Sequence, residues 1–167
     1  MKMSEMSKEI VNILNKECEN PWKGTRLENY FLLSPAAKGA LGEKFVSKIL
    51  EDNGFSVLNR INSGHDRIVN GKKAEIKFAM ASNKNNFWYC IFNHISLSKD
   101  WEVIYFCCIN GDESIRLVSF TKEELPLDLF QHQQGGKNSN NDDYFCQGEK
   151  TSMLLMHPNA NRIIGEF

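Results

Sequence analysis

The stretch HDRIVNGKKAEIKFA, residues 65–79, decides how this chain is read. Asn70-Gly71 lies between two strand-like runs. An Asn-Gly pair there is a strong hairpin signal, because a two-residue type I′ turn needs positive φ at both central positions. With that turn Val69 pairs with Lys72, and counting back sets Asp66 directly opposite Glu75. Opposed side chains have Cβ atoms about 4.5–5.5 Å apart, where like charges repel unless something compensates. Alternation along the second strand then puts Glu75 and Lys77 on one face and turns Ala74, Ile76 and Phe78 into the core.

Two carboxylates converging at that separation suit a divalent cation, since magnesium is commonly held by one or two carboxylates plus waters and phosphate oxygens. Lys77 would stand within reach, where an ammonium can stabilise charge developing on a phosphate or lower the pKa of an attacking water. An ordinary exposed hairpin with solvated charges would carry the same letters. The Asn-Gly register, the apolar flanks and the helix just upstream favour a site.

That helix is marked at both ends. Ser34-Pro35 supplies an N-cap and a proline at the first helical position, and Asn53-Gly54 a stop. Between them Leu41, Phe45 and Ile49 recur every fourth residue, flanked by Val46 and Leu50, which predicts a buried stripe. Gly39 and Gly42 suit close approach of another backbone or a ligand. Glu43 falls at the stripe's edge.

Further out the signals are coarser. Residues 4–17 carry Ile10, Val11, Ile13 and Leu14 at helical spacing, and 18–33, broken by Pro21 and Gly24, read as an extended arm or short irregular helix. Strands are expected over 55–61, 87–95, 101–109 and 116–120, with a helix cap and first turn at Thr121–Glu124. Residues 131–143, QHQQGGKNSNNDD, read as a loop, and 151–164 as strand-like around Pro158. The expectation is one α/β (α+β) domain over 1–167, a mixed central sheet flanked by helices. It divides into an N-terminal helix and arm (1–33), a catalytic core (36–120) and a C-terminal extension (121–167).

Composition agrees with one ordinary domain, at 167 residues, 41% hydrophobic and 25% charged. No apolar run approaches the roughly 20 residues that span a bilayer, so no membrane partner is expected. The opening MKMSEMSKEIVNIL has acids among its apolar residues, unlike a signal peptide, which predicts a cytoplasmic protein. Five cysteines form no C-x-x-C pair. Cys90, Cys107 and Cys108 fall in apolar runs as small buried hydrophobes, which fits a reduced compartment without structural zinc. Net charge is −1, but residues 60–99 hold seven basic against two acidic side chains. That local excess is enough to hold phosphates. Phosphate-loop, nucleophile-elbow and zinc-protease signatures are absent, and the cysteines have no histidine register for a thiol nucleophile.

The succession of helix (Ala40-Leu-Gly-Glu43), strand, Asp66, hairpin and Glu75-Ile-Lys77 resembles the PD-(D/E)XK nuclease superfamily, which includes many type II restriction endonucleases. The likeness covers residues 36–120, and His65 stands where the name-giving motif has proline. It implies a restriction-endonuclease-like core with Asp66 and Glu75 as ligands of Mg2+ (Mn2+ substituting) and Lys77 as the catalytic lysine. Glu43 would aid the metal through water. Phe92-Asn-His-Ile95 followed by Asp100–Tyr105 looks like the region after the E-x-K strand, where Asn93 or His94 would reach back to the scissile phosphate. Arg60, Arg67, Lys72, Lys73 and Lys84 are the expected DNA phosphate contacts. The amides of 131–143 would read bases, since Gln and Asn pair bidentately with adenine. The expectation is a type II restriction endonuclease cutting double-stranded DNA as a homodimer. The alternatives are a repair or recombination nuclease (junction resolvase or mismatch nicking) and a non-catalytic DNA-binding module.

Overall fold

The computed structural model describes residues 20–84, 87–132 and 143–165, and the chain divides into two compact units between Ser34 and Pro35. The helix expected over 4–17 lies outside the described residues. In the first unit the Asn20 side chain accepts from Trp22 N–H (2.9 Å) and donates to the Glu28 carbonyl (3.2 Å), folding 20–28 into a string of turns. A single helical turn, α1 (Glu28–Phe31), follows, so the irregular arm is as expected.

The second unit opens with α2 (Pro35–Asp52). It ends as its sequence dictates, with Gly54 at φ +84° and Phe55 N–H returning to the Leu50 carbonyl at 3.0 Å. Its fully buried line is Gly42, Val46 and Leu50, with Phe45 and Ile49 partly buried beside it. Leu41, expected in that stripe, is instead 45% exposed. The helix is rolled because Gly42 is its closest contact: a Cβ there would lie 2.7 Å from Phe78 Cβ, so only a glycine lets the helix backbone settle onto that side chain.

Among the described residues six strands form the central sheet: β1 (Val57–Asn59), β2 (Arg67–Val69), β3 (Lys72–Met80), β7 (Val103–Ile109), β8 (Ile115–Thr121) and β11 (Asn161–Ile164), adjacent in that order. Only β3 and β7 run parallel; every other neighbour is antiparallel. Asn70 (φ 49°) and Gly71 (φ 79°) take the positive angles of a type I′ turn. The register is the expected one, with Val69 opposite Lys72, Ile68 opposite Lys73 and Arg67 opposite Ala74. Asn70 also clasps β1's approach, exchanging hydrogen bonds with Ser56 at 2.8 and 2.9 Å. All seven residues of β7 are buried, as a central strand covered on both faces requires.

One face of the sheet packs on α2 through Ala74, Ile76, Val103, Tyr105, Cys107 and Leu117. The other is covered by a second sheet, in which β10 (Asp143–Gln147) lies between β6 (Ile91–Ser96) and β9 (Gln131–His132). Phe106 is the centre of this layer, with its ring 5.0 Å from Phe92 and 6.1 Å from both Phe120 and Phe130. A helix, α3 (Glu149–Leu155), packs against β8 and β10.

Several expectations are corrected. Residues 87–95 do not make one strand: the chain breaks at Cys90 into β5 (Phe87–Tyr89), which pairs only with β4 (Ser82–Lys84), and β6. Thr121 Oγ1 does donate to Glu124 Oε2 (2.8 Å), the contact of a cap, but Pro126 lies two residues on and no α-helix follows, only a 3-10 turn at Leu127–Leu129. Residues 151–164 are not strand throughout. Thr151, Leu154 and Leu155 are the buried side of α3, a helical spacing masked by the apolar Met153–Met156, and β11 starts only after Pro158. Cys90 and Cys108 are joined as a disulfide, not free thiols, with Cα atoms 6.5 Å apart across neighbouring segments. Cys107 is free and buried as expected, Cys146 is free and buried too, and Cys18 lies outside the described residues. No described helix is long and apolar enough to cross a membrane.

Candidate active site

Glu75 is the organising residue. Its side chain is 1% exposed, on the sheet face opposite α2, which is rare for a carboxylate without partners. Two cations meet one of its oxygens: Lys77 Nζ lies 2.8 Å and Lys99 Nζ 3.3 Å from Oε1. The second oxygen, Oε2, is buried with no hydrogen-bond partner among the described residues. Lys77 sits two residues along β3, so strand alternation alone puts it on the same face, and it is 15% exposed.

Asp66 arrives by a different route from the one simple alternation gives. The ladder of β2 and β3 ends at Arg67, and Asp66 N–H bonds to the Ala74 carbonyl (2.9 Å), the residue opposite Arg67. The Asp66 carboxylate then accepts from the backbone N–H of Ile76 at 2.8 Å. Burial, then the charge of Glu75, pushes the Asp66 carboxyl above the ordinary carboxylate value. The Ile76 N–H, Lys77 and Lys99 pull it back in part. Glu43 completes the group from α2. Arg67 NH1 holds its Oε2 at 3.1 Å, and burial and the charge of Asp66 raise its pKa.

Asp66, Glu75 and Lys77 are thus electrostatically coupled at one place, and Glu43, on the α2 side of the sheet, is coupled to Asp66. His65, beside them, is 1% exposed; its Nε2 accepts from Ile61 N–H (3.3 Å), which ties down the loop entering Asp66. Lys99 was not foreseen. It sits in the irregular turn before β7, and nothing in its local sequence distinguishes it from a solvated lysine.

The expected DNA contacts are placed less uniformly. Lys72 is exposed on the hairpin turn, and Arg60 is exposed and near enough to Glu43 to lower its pKa. Lys73 pairs with Asp100 at 2.6 Å. Arg67 is turned inward, 15% exposed, and bonded to Glu43 and to the Asp66 carbonyl. Lys84 closes β4, and its side chain lies outside the described residues. Asn93 and His94 are exposed on β6, where the register skips so that the two together oppose Phe145 and His94 adopts φ 55°. Residues 133–142 lie outside the described residues; Gln131 and Gln147 flank a surface hollow of about 660 Å³.

Among the described residues no three His, Cys, Asp or Glu side chains form a metal-ligating group. A two-carboxylate site is a different matter, and the residues present fit one. Asp66 and Glu75 are mutually repelling, desolvated carboxylates, and Glu75 Oε2 is left without a donor. Thiol chemistry does not fit: burial pushes Cys107 up to about 12 and Cys146 up to about 11, so neither is a thiolate at neutral pH.

The raised carboxyl of Asp66 has a consequence for stability. A folded-state value above the unfolded one contributes stability that is full below the ordinary carboxylate pKa and is lost as pH rises through the folded value. Above that folded value the metal-free protein therefore carries an unfavourable charge. Asp66→Asn, which still accepts from Ile76 N–H, is expected to stabilise the protein in a chelator at pH 7. That gain should shrink toward pH 4. Urea midpoints at the two pH values test this, and an Asn variant no more stable than wild type at pH 7 would contradict it.

No family model matches this chain, and neither does any curated protein sequence.

Proposed function

We propose that this chain is a magnesium-dependent endonuclease of the PD-(D/E)XK kind, with a restriction-endonuclease-like core, hydrolysing phosphodiester bonds in double-stranded DNA. One observation carries the reading: a buried Glu75 holding Lys77 at 2.8 Å while its other oxygen stays unpartnered beside a second, coupled carboxylate. Asp66 and Glu75 would hold the ion. When bound, it supplies charge neutralisation at the scissile phosphate and a more acidic water. The chain's own groups do the rest. Ile76 N–H fixes the Asp66 carboxylate, and Arg67 fixes Glu43 at the edge of the site. Lys77, on a strand paired on both sides, offers a fixed ammonium to the charge that develops on the phosphate.

Within this class the favoured role is a type II restriction endonuclease acting as a homodimer, because one small domain carries the entire candidate site. A two-fold enzyme matches a two-fold DNA site. DNA as substrate goes with a cytoplasmic location; the Cys90–Cys108 bond stands against it, since thiols are held reduced there. Plasmid incubated with the protein and magnesium should yield discrete fragments, with manganese able to replace magnesium. Cutting confined to branched or mismatched duplexes would replace the restriction role by repair. Binding without cutting in either metal would leave a DNA-binding module.

A further inference from the structure

The turn at residues 97–100 brings a second lysine to the candidate site, and its surroundings fix the backbone while leaving the side chain movable. Lys122 Nζ donates to the Lys99 carbonyl at 2.7 Å and sits 4.5 Å over the ring of Trp101. Trp101 is buried and donates its indole N–H to the Ser96 carbonyl (2.8 Å), and Lys73 grips Asp100 at 2.6 Å. Neighbours on both sides thus anchor the backbone of Lys99. Its side chain is 42% exposed and reaches Glu75 Oε1 at 3.3 Å, the longer of that oxygen's two lysine contacts.

Charge balance gives this arrangement a direction. Asp66 and Glu75 carry two negative charges, matched by Lys77 and Lys99. A divalent cation on the carboxylates adds two positive charges and removes the attraction holding both lysines. Lys77 is mostly buried and rooted on β3. Lys99 has the exposed stem and the looser contact, and a lysine stem has four flexible carbons.

We propose that Lys99 is a second phosphate-binding lysine of this site, held on Glu75 in the metal-free protein and released to grip the DNA backbone once a divalent cation holds Asp66 and Glu75. The proposal rests on the nuclease reading above and adds to it a residue that changes partners between the two states. Its contribution to DNA binding therefore exists only in the presence of the metal, whereas Lys72 and Arg60 contribute with or without it.

The test uses the full chain with Lys99→Met, Lys99→Arg and, as a control, Asp66→Asn. Calcium replaces magnesium so that duplex stays intact. Calcium binding is followed by calorimetry without DNA, and binding of a mixed-sequence duplex by anisotropy across a salt series, with calcium and with chelator. Lys99→Met should bind calcium roughly fivefold more tightly, because the ion no longer has to displace a unit charge held about 4 Å from the Glu75 carboxylate at water-like dielectric. It should also flatten the dependence of log affinity on log salt by about one in calcium, and by none in chelator. Lys99→Arg should keep the wild-type salt slope in calcium. If wild type binds calcium and Asp66→Asn does not, but Lys99→Met leaves the salt slope in calcium unchanged, Lys99 merely neutralises Glu75 and the proposal fails alone. If wild type binds no calcium, the nuclease reading falls and this proposal with it.

Discussion

Lys77→Met is expected to lower the single-turnover rate of DNA cleavage at saturating magnesium by roughly 10²–10³-fold, the usual cost of removing one group aimed at transition-state charge. Affinity for the same duplex in calcium should stay near that of wild type. The split follows from position: Lys77 is 15% exposed and points at Glu75, so it meets the reacting phosphate and little else of the DNA. Methionine keeps the apolar stem packed, and Glu75 keeps Lys99 as a partner, so the fold should survive. A variant that cuts at the wild-type rate would remove Lys77 from the chemistry.

The largest expected effect on stability is Phe106→Ala, at about 3–5 kcal/mol. Phe106 is fully buried, contacts three other rings and lies beside Lys77 in the β3–β7 register. Domains of this size are stable by about 5–15 kcal/mol in all, so the loss takes a fifth or more of the margin. The melting temperature should fall by roughly 6–20 °C, at about 2–4 °C per kcal/mol. A drop of only a degree or two would mean that the second sheet does not close a packed core over this face.

These two residues also mark where sequence was legible and where it was not. Lys77 could be placed from a turn dipeptide and a period of two, since an Asn-Gly turn fixes register locally and register fixes which side chains share a face. The same logic failed at Asp66, because a backbone bond to Ala74 outside the ladder is invisible in the letters. Burial of the Glu75 face was equally hidden. Charged residues alternating with apolar ones read as a solvated face, and only the distant Phe92 and Phe130, packed on Phe106, reveal that the sheet is covered on this side. Periodicity also could not tell helix from strand around the apolar run at 153–156, or see the break at Cys90. Lys99 reaches the site through long-range pairing of β3 with β7, which no window of neighbouring residues encodes.

The order of those connections has a kinetic side. The Asn70-Gly71 turn joins β2 and β3 through two residues, and hairpins of this kind form in about 1–10 μs. It is this local step that draws Asp66 and Glu75 together. The parallel pairing of β3 with β7 must enclose everything between Met80 and Val103, a slower, less local closure, and only then does the turn bearing Lys99 settle. During assembly the repulsion is therefore created by the shortest loop of the sheet, together with its first counter-charge, Lys77, and the second counter-charge, Lys99, comes with one of its longer loops.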